Sequence, residues 1–249
     1  MSTRVMRPEE WADPPPPVHR EVVGVQPADP TNAAPVLFVP PFGHGAWVYA
    51  EHWLERTAER GFPAYAMSLR GHGNSGPAPK ATLRAYAHDV TQVAAGLPRQ
   101  AVLVGCGAGA LVTAMALARY PARAAVLVSP LFRGLGALRS PGRRLFSREL
   151  PAGEAQGYVS RMGKASWRAR QEVVFARSPE DPVGEPPVLV VGSPDDAVVS
   201  QKALDSVARR YGGAPLLFPG MGHDMMLDAR WAEPIDAILA WLEKAAGRS

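Results

Sequence analysis

The stretch Leu103-Val104-Gly105-Cys106-Gly107-Ala108-Gly109-Ala110-Leu111 decides how the chain is read. An apolar run, Ala101 to Val104, stops at alternating glycines and passes into Thr113 to Tyr120, which has helical composition. A short apolar run bounded by turn residues reads as a buried strand, so the stretch predicts a strand, a tight turn and a helix.

Two kinds of site use such a turn. Gly105-x-Gly107-x-x-Ala110 fits the fingerprint of a dinucleotide-binding turn, whose glycines let a pyrophosphate approach a helix N-terminus. Its context does not fit. The turn begins at residue 105 rather than in a first βαβ unit, and the next apolar strand, Ala124 to Val128, ends in Ser129-Pro130 where a ribose-binding acid belongs. The other pattern is the nucleophile elbow, G-x-S-x-G, which projects its middle side chain from a strained strand-to-helix turn. Gly105 and Gly109 fill the outer positions, and the middle position is Gly107. Cys106 is a substitute nucleophile only after a one-residue shift, which sets Val104 and Ala108 where the turn wants small residues. Packing beneath the turn as a small apolar side chain is its plainer reading.

Composition bounds the rest. A chain of 249 residues with 47% hydrophobic and 20% charged residues is long and apolar enough for one globular domain with a sizeable core. A net charge of +4, scattered along the sequence, makes no case for nucleic acid. The single cysteine, Cys106, excludes an internal disulfide and a cysteine-based zinc cluster. The N-terminus has no signal-like apolar core, and no apolar run reaches the roughly 18 residues of a membrane span. A soluble, cytoplasmic chain is expected.

In chain order, residues 1 to 17 form a proline-rich arm ending in Pro14-Pro15-Pro16-Pro17, and Arg20 to Val25 suggests a short outer strand. Val36 to Val39 reads as a buried parallel strand, Val48 to Arg60 as a helix and Ala64 to Met67 as a strand. Thr82 caps a helix running to about Ala95. After Ala124 to Val128, residues 131 to 185 break the alternation, with nine Arg or Lys against two Glu between 131 and 170. An insertion of that length and bias reads as a cap or lid. Val188 to Val191, Gln201 to Tyr211, Leu216 to Phe218 and Trp231 to Lys244 then resume strand, helix, strand, helix. Alternating elements imply an α/β fold, a mostly parallel twisted sheet with helices on both faces.

In such sheets chemistry collects beyond the carboxyl ends of the strands. Those ends carry Pro40-Pro41-Phe42-Gly43, then Gly107-Ala108, then Gly192-Ser193-Pro194-Asp195-Asp196, then Pro219-Gly220-Met221-Gly222-His223-Asp224. The offset from Gly192 favours Asp195 as the acid, with Asp196 its adjacent rival. An acid followed by a histidine past the last strand repeats the order Ser, Asp, His with the first member absent. An aspartate on one imidazole nitrogen fixes the tautomer and leaves the other nitrogen free to act as a base. Glycine at the turn also relieves the strain a Cβ would suffer there.

Phe42 to Trp47, Ser68-Leu69-Arg70-Gly71-His72-Gly73-Asn74-Ser75, the elbow, Asp195 to Val199 and Gly220 to Asp228 together resemble the α/β-hydrolase family, in its lysophospholipase-like branch of single-domain serine esterases and lipases. The resemblance implies an α/β-hydrolase fold with a small cap at 131 to 185. It also implies Asp195 as acid, His223 as base, and the backbone N–H groups of Phe42 and Ala108 as an oxyanion hole. Two positions depart from the family pattern: Pro40-Pro41 replaces His-Gly or Pro-Gly, and Gly107 stands at the nucleophile serine.

Around this site, His44, Cys106, Met221 and Met225 are candidates to line a pocket, while His72 reads as a brace for its turn. The arginines Arg139, Arg143, Arg144 and Arg148 could draw an anionic substrate or an acyl-carrier partner, or simply face solvent. The sequence supports a cofactor-free, metal-free enzyme acting on a small apolar carbonyl compound through a His223–Asp195 general base. Direct-water hydrolysis of an ester or lactone, elimination, C–C cleavage and cyclisation all remain open. A hydrolytically silent ligand-binding or partner protein is the rival.

Overall fold

A computed structural model describes residues 13–134 and 142–245, apart from the side chain of residue 143. Arg139 therefore lies outside the described residues. Seven strands form one sheet: β1 (Val22–Val25), β2 (Val36–Val39), β3 (Ala64–Met67), β4 (Val102–Cys106), β5 (Ala124–Val128), β6 (Val188–Gly192) and β7 (Leu216–Leu217). Their spatial order is β1-β3-β2-β4-β5-β6-β7. Only β1 runs antiparallel, against β3, and every other pairing is parallel.

The continuous apolar runs are explained by burial on both faces. Along β2, Val36 and Phe38 enter one core while Leu37 and Val39 enter the other. The first core is closed by α1 (Trp47–Ala50), α2 (Trp53–Glu59) and α8 (Ala232–Ala245), with Tyr49, Trp53, Ile235 and Leu239 packed on Phe38 and its neighbours. The second is closed by α3 (Leu83–Ala95), α4 (Ala108–Leu117) and α7 (Gln201–Arg210), through Tyr86, Val90, Leu111 and Leu204. Thr82 caps α3 as expected, its side chain accepting from the Ala85 N–H.

Between β5 and β6 lie a 3₁₀ turn (Gly142–Leu145), α5 (Ala152–Arg161) and α6 (Trp167–Val174). Leu150 and Tyr158 join the first core, and Ala169 and Val173 the second.

The helix expected over residues 48 to 60 is two helices. His52 leaves the helical region at φ −147° and stacks on the Trp231 ring at 4.4 Å. The break lets Trp53 turn its indole N–H onto the Trp231 carbonyl. Tertiary contacts here override a continuous helical pattern.

Candidate active site

The turn between β4 and α4 is where the sheet's geometry becomes specific. Gly107 sits at φ 56° and ψ −125°, a conformation that strains a residue bearing a Cβ. The flanking glycines answer a different demand, close approach. A Cβ on Gly105 would lie 2.3 Å from Thr113 Oγ1, and one on Gly109 2.3 Å from the Pro40 carbonyl oxygen. The start of α4 is thereby pressed against the end of β2, which sets Ala108 beside Phe42.

His223 faces this turn. Its Nε2 lies 3.0 Å from the point where a Cβ on Gly107 would stand. Its Nδ1 lies 2.8 Å from Asp196 Oδ2. This corrects the expected partner, Asp195. Strand β6 runs through Gly192, so the turn that follows starts one residue later than a strand ending at Val191 implies. Asp196 is buried and turns inward, while Asp195 is exposed and accepts the Gly220 N–H on Oδ2 at 2.7 Å. The Asp196 carboxylate is fixed from behind, since Oδ1 accepts the N–H groups of Val198 at 2.7 Å and Val199 at 3.0 Å.

The electrostatics follow from these contacts. For His223, burial disfavours the imidazolium, but the charge and hydrogen bond of Asp196, with Asp224 nearby, outweigh it and raise the pKa. For Asp196, burial disfavours the charge, yet His223 and the two amides outweigh it and lower the pKa. Each group is held toward its charged form by the other.

A cavity of about 340 Å³ opens in front of the imidazole. Phe42, Ala108, Leu131, Leu145, Val159, Met162 and Val198 give it mostly apolar walls, and His44, His223, Asp224, Lys164 and Arg170 are its ionisable lining residues. Among the described residues, the backbone N–H groups of Phe42 and Ala108 have no protein acceptor. The Ala108 N–H belongs to the first turn of α4, where the helix favours negative charge. The segment from Leu145 to Ala165, which includes α5, forms the cavity's far wall and is tied to the Phe42 loop by the Gly163 N–H, which donates to the Gly43 carbonyl at 2.7 Å.

Of the expected pocket residues, His44 lines the cavity and three do not. Cys106 is buried under the turn, where burial pushes its thiol up to about 12. Such a thiol yields little thiolate, which argues against a nucleophile. Met225 is fully buried in the first core. Met221 is also core and borders a neighbouring cleft instead. Arg144 and Arg148 line that same cleft with Asp195, away from the cavity in front of His223. His72 braces its turn, its Nδ1 3.1 Å from the Arg70 carbonyl.

Two residues were not singled out from sequence. Asp228, 1% exposed, accepts from the Gly222 N–H at 2.6 Å, from the Ser147 hydroxyl at 2.6 Å and from the Ala229 N–H at 2.8 Å. It clamps the loop carrying His223 to the segment that roofs the cavity. Asp224 is fully buried, 3.0 Å from His44 Nε2. Their nearness to His223 in sequence was the available signal. Among the described residues, no group of three or more His, Cys, Asp or Glu side chains could hold a metal ion, and no helix is long and apolar enough to cross a membrane.

Parallel topology, the strand-to-helix turn and the histidine beyond the last strand define an α/β-hydrolase fold. Residues 36–238 match the model of the alpha/beta hydrolase family, and the chain belongs to that family. Its fold is similar to that of a monoacylglycerol lipase from Paleococcus ferrophilus, at 19% identity and TM-score 0.71, covering 92% of this chain and 99% of that one. It is similar to a putative aryl esterase from Burkholderia cenocepacia, at 20% identity and TM-score 0.72, covering 92% and 95%. A bromoperoxidase from Bacillus anthracis is also similar, at 15% identity and TM-score 0.73, covering 91% and 95%. A comparison with curated proteins gives no match.

Proposed function

We propose that this chain is an enzyme in which the His223–Asp196 pair acts as a general base on a small, mostly apolar carbonyl compound, with no serine nucleophile. One observation carries the reading. The free nitrogen of His223 points at a turn that bears no side chain, 3.0 Å from where a Cβ would begin. A proton taken there comes from water or from the substrate itself. The Phe42 and Ala108 N–H groups are suited to receive the oxygen on which negative charge develops. The apolar walls of the cavity strengthen such interactions by excluding water.

This arrangement supports two outcomes with the same base. Water activated by His223 attacks an ester or lactone directly, or His223 removes a proton from carbon and the electron pair moves into the carbonyl. Removing one member of a Ser-His-Asp triad leaves on the order of 10³-fold catalysis over water, so a site of this kind retains useful acceleration. The acyl-carrier or anionic partner expected at Arg144 and Arg148 belongs to the neighbouring cleft and is proposed only as a separate docking possibility.

The test is a panel of small aryl esters, lactones and β-substituted ketones assayed with the native chain and His223→Ala. Turnover that disappears in His223→Ala supports the proposal. Ligand binding by both proteins with turnover by neither overturns it in favour of a silent binding protein.

A further inference from the structure

Both histidines that line the cavity, His223 and His44, lie against an aspartate. His44 is 3% exposed, Asp224 is fully buried, and Nε2 of the first lies 3.0 Å from Oδ2 of the second. The other ring nitrogen, Nδ1, lies 3.1 Å from the Phe42 carbonyl oxygen. A carbonyl only accepts, so Nδ1 carries a proton and donates. Nε2 and Oδ2 at this distance would repel as two bare acceptors. A proton on the ring or on the carboxyl removes that repulsion. Neither Nε2 nor either Asp224 oxygen has a hydrogen bond among the described residues. Buried polar atoms left this way cost free energy unless a ligand satisfies them.

The contrast with His223 is in the direction each pair works. In His223, Nδ1 is taken by Asp196 and Nε2 faces the open turn, so that pair accepts a proton. In His44, Nδ1 is taken by a carbonyl and Nε2 faces a buried carboxyl, so a proton carried by that pair is the one it can give up. Both histidines and Asp224 line the cavity.

We propose that His44 and Asp224 form the general acid of this site, and that the substrate class is a carbonyl compound losing a proton from carbon and an oxygen leaving group. The inference rests on the general-base reading of His223. In the step, His223 Nε2 takes the proton as the C–H bond breaks, and that electron pair forms the new double bond. The bond to the leaving oxygen breaks, and its electron pair takes the proton from His44–Asp224. His223 then returns its proton to the second pair through water, and both are restored.

The probe is a benzisoxazole pair that undergoes base-promoted ring-opening elimination to a cyanophenol, one bearing a 5-nitro group and one unsubstituted. The nitro compound expels a weakly basic phenolate that needs little acid assistance, whereas the unsubstituted one expels a strongly basic phenolate. General acid catalysis typically contributes about 10²-fold or more, so His44→Gln is expected to slow the unsubstituted compound about 10²-fold and the nitro compound only a few-fold. Asp224→Asn should show the same split. Arg209→Met, at an exposed position on α7 away from the cavity, should change neither.

Equal loss on both compounds in the two variants indicates a structural role and overturns the assignment, as does the same split appearing in Arg209→Met. Should the variants fail to fold, the native chain still decides. A solvent deuterium isotope effect with the unsubstituted compound that is absent with the nitro compound supports the acid, and equal effects overturn it. His223→Ala separates the two readings. Elimination of both compounds unchanged in that variant removes the general-base reading itself, whereas no turnover of either by a native chain that still turns over the ester panel removes only the elimination proposed here. Elimination lost in His223→Ala but with no leaving-group split in His44→Gln removes only the acid.

Discussion

Asp196 Oδ2 lies 2.8 Å from His223 Nδ1, whereas the carboxylate of Asp195, one residue earlier, accepts the backbone N–H of Gly220. The two neighbours therefore make opposite predictions. Asp196→Asn presents an amide that leaves the imidazole free to take the wrong tautomer, and turnover is expected to fall by about 10³- to 10⁴-fold. Asp195→Ala removes one exposed hydrogen bond, worth about 1 kcal/mol of stability, and leaves turnover within a few-fold. Steady-state kinetics on the two variants reads the difference directly.

The position of that carboxylate marks the limit of what sequence patterning resolves. The apolar runs at Val36, Val102 and Ala124 each became a central parallel strand, because a strand buried on both faces has few other compositions. The elbow was legible for the same physical reason that Gly105 and Gly109 are glycines, namely the 2.3 Å approaches that any Cβ would make. The acid was not. Asp195 and Asp196 are chemically identical, and only the exact end of β6 decides which one turns inward. Strand ends are set by tertiary pairing, here Gly192 with Leu217 on β7, and local composition carries no record of it. The methionines failed differently. Met225 is a pocket candidate because methionine fills irregular apolar space, yet the 3₁₀ turn Met225–Leu227 carries it into the core.

Gly107→Ser tests whether the turn is poised for a nucleophile. The new Cβ would begin 3.0 Å from His223 Nε2 and 3.1 Å from the Pro41 Cβ, so the ring must retreat by a few tenths of an ångström. A φ of 56° adds strain of about 1–3 kcal/mol. The variant is expected to unfold at a lower temperature than the native chain but to gain covalent labelling by a fluorophosphonate, which the native chain lacks at this residue. Mass spectrometry locating the adduct on residue 107 is the readout. A folded variant that stays unlabelled would show that the imidazole does not activate a hydroxyl there.

The raised pKa of His223 fixes the sense of the pH profile. Burial pulls the value down, Asp196 and Asp224 push it up, and the sum lies above the ordinary 6.5. A base works only when deprotonated. Turnover of a non-ionising ester should therefore climb through a midpoint above 6.5 and level off at higher pH. Asp196→Asn removes the largest upward push, so the residual activity of that variant should climb at lower pH than in the native chain. A flat native profile would mean that His223 is not the titrating base.

Asp228 offers the last prediction, one about position rather than chemistry. Its carboxylate gathers the Gly222 N–H, the Ser147 N–H and hydroxyl, and the Ala229 N–H, joining the His223 loop to the segment that carries Leu145. Alanine here strands several buried donors at about 1–3 kcal/mol each, softened where water enters. A total near 3–5 kcal/mol is expected, which for a chain of this size lowers the melting temperature by about 10 °C. Below that temperature the loop should still close, but with the imidazole less well placed. Turnover should then fall through kcat while KM changes little, because the apolar walls that bind substrate do not depend on Asp228. Asp228→Asn keeps one acceptor oxygen and should recover part of both losses. A full loss of kcat in Asp228→Ala with no change in melting temperature would instead assign this carboxylate a direct part in the reaction.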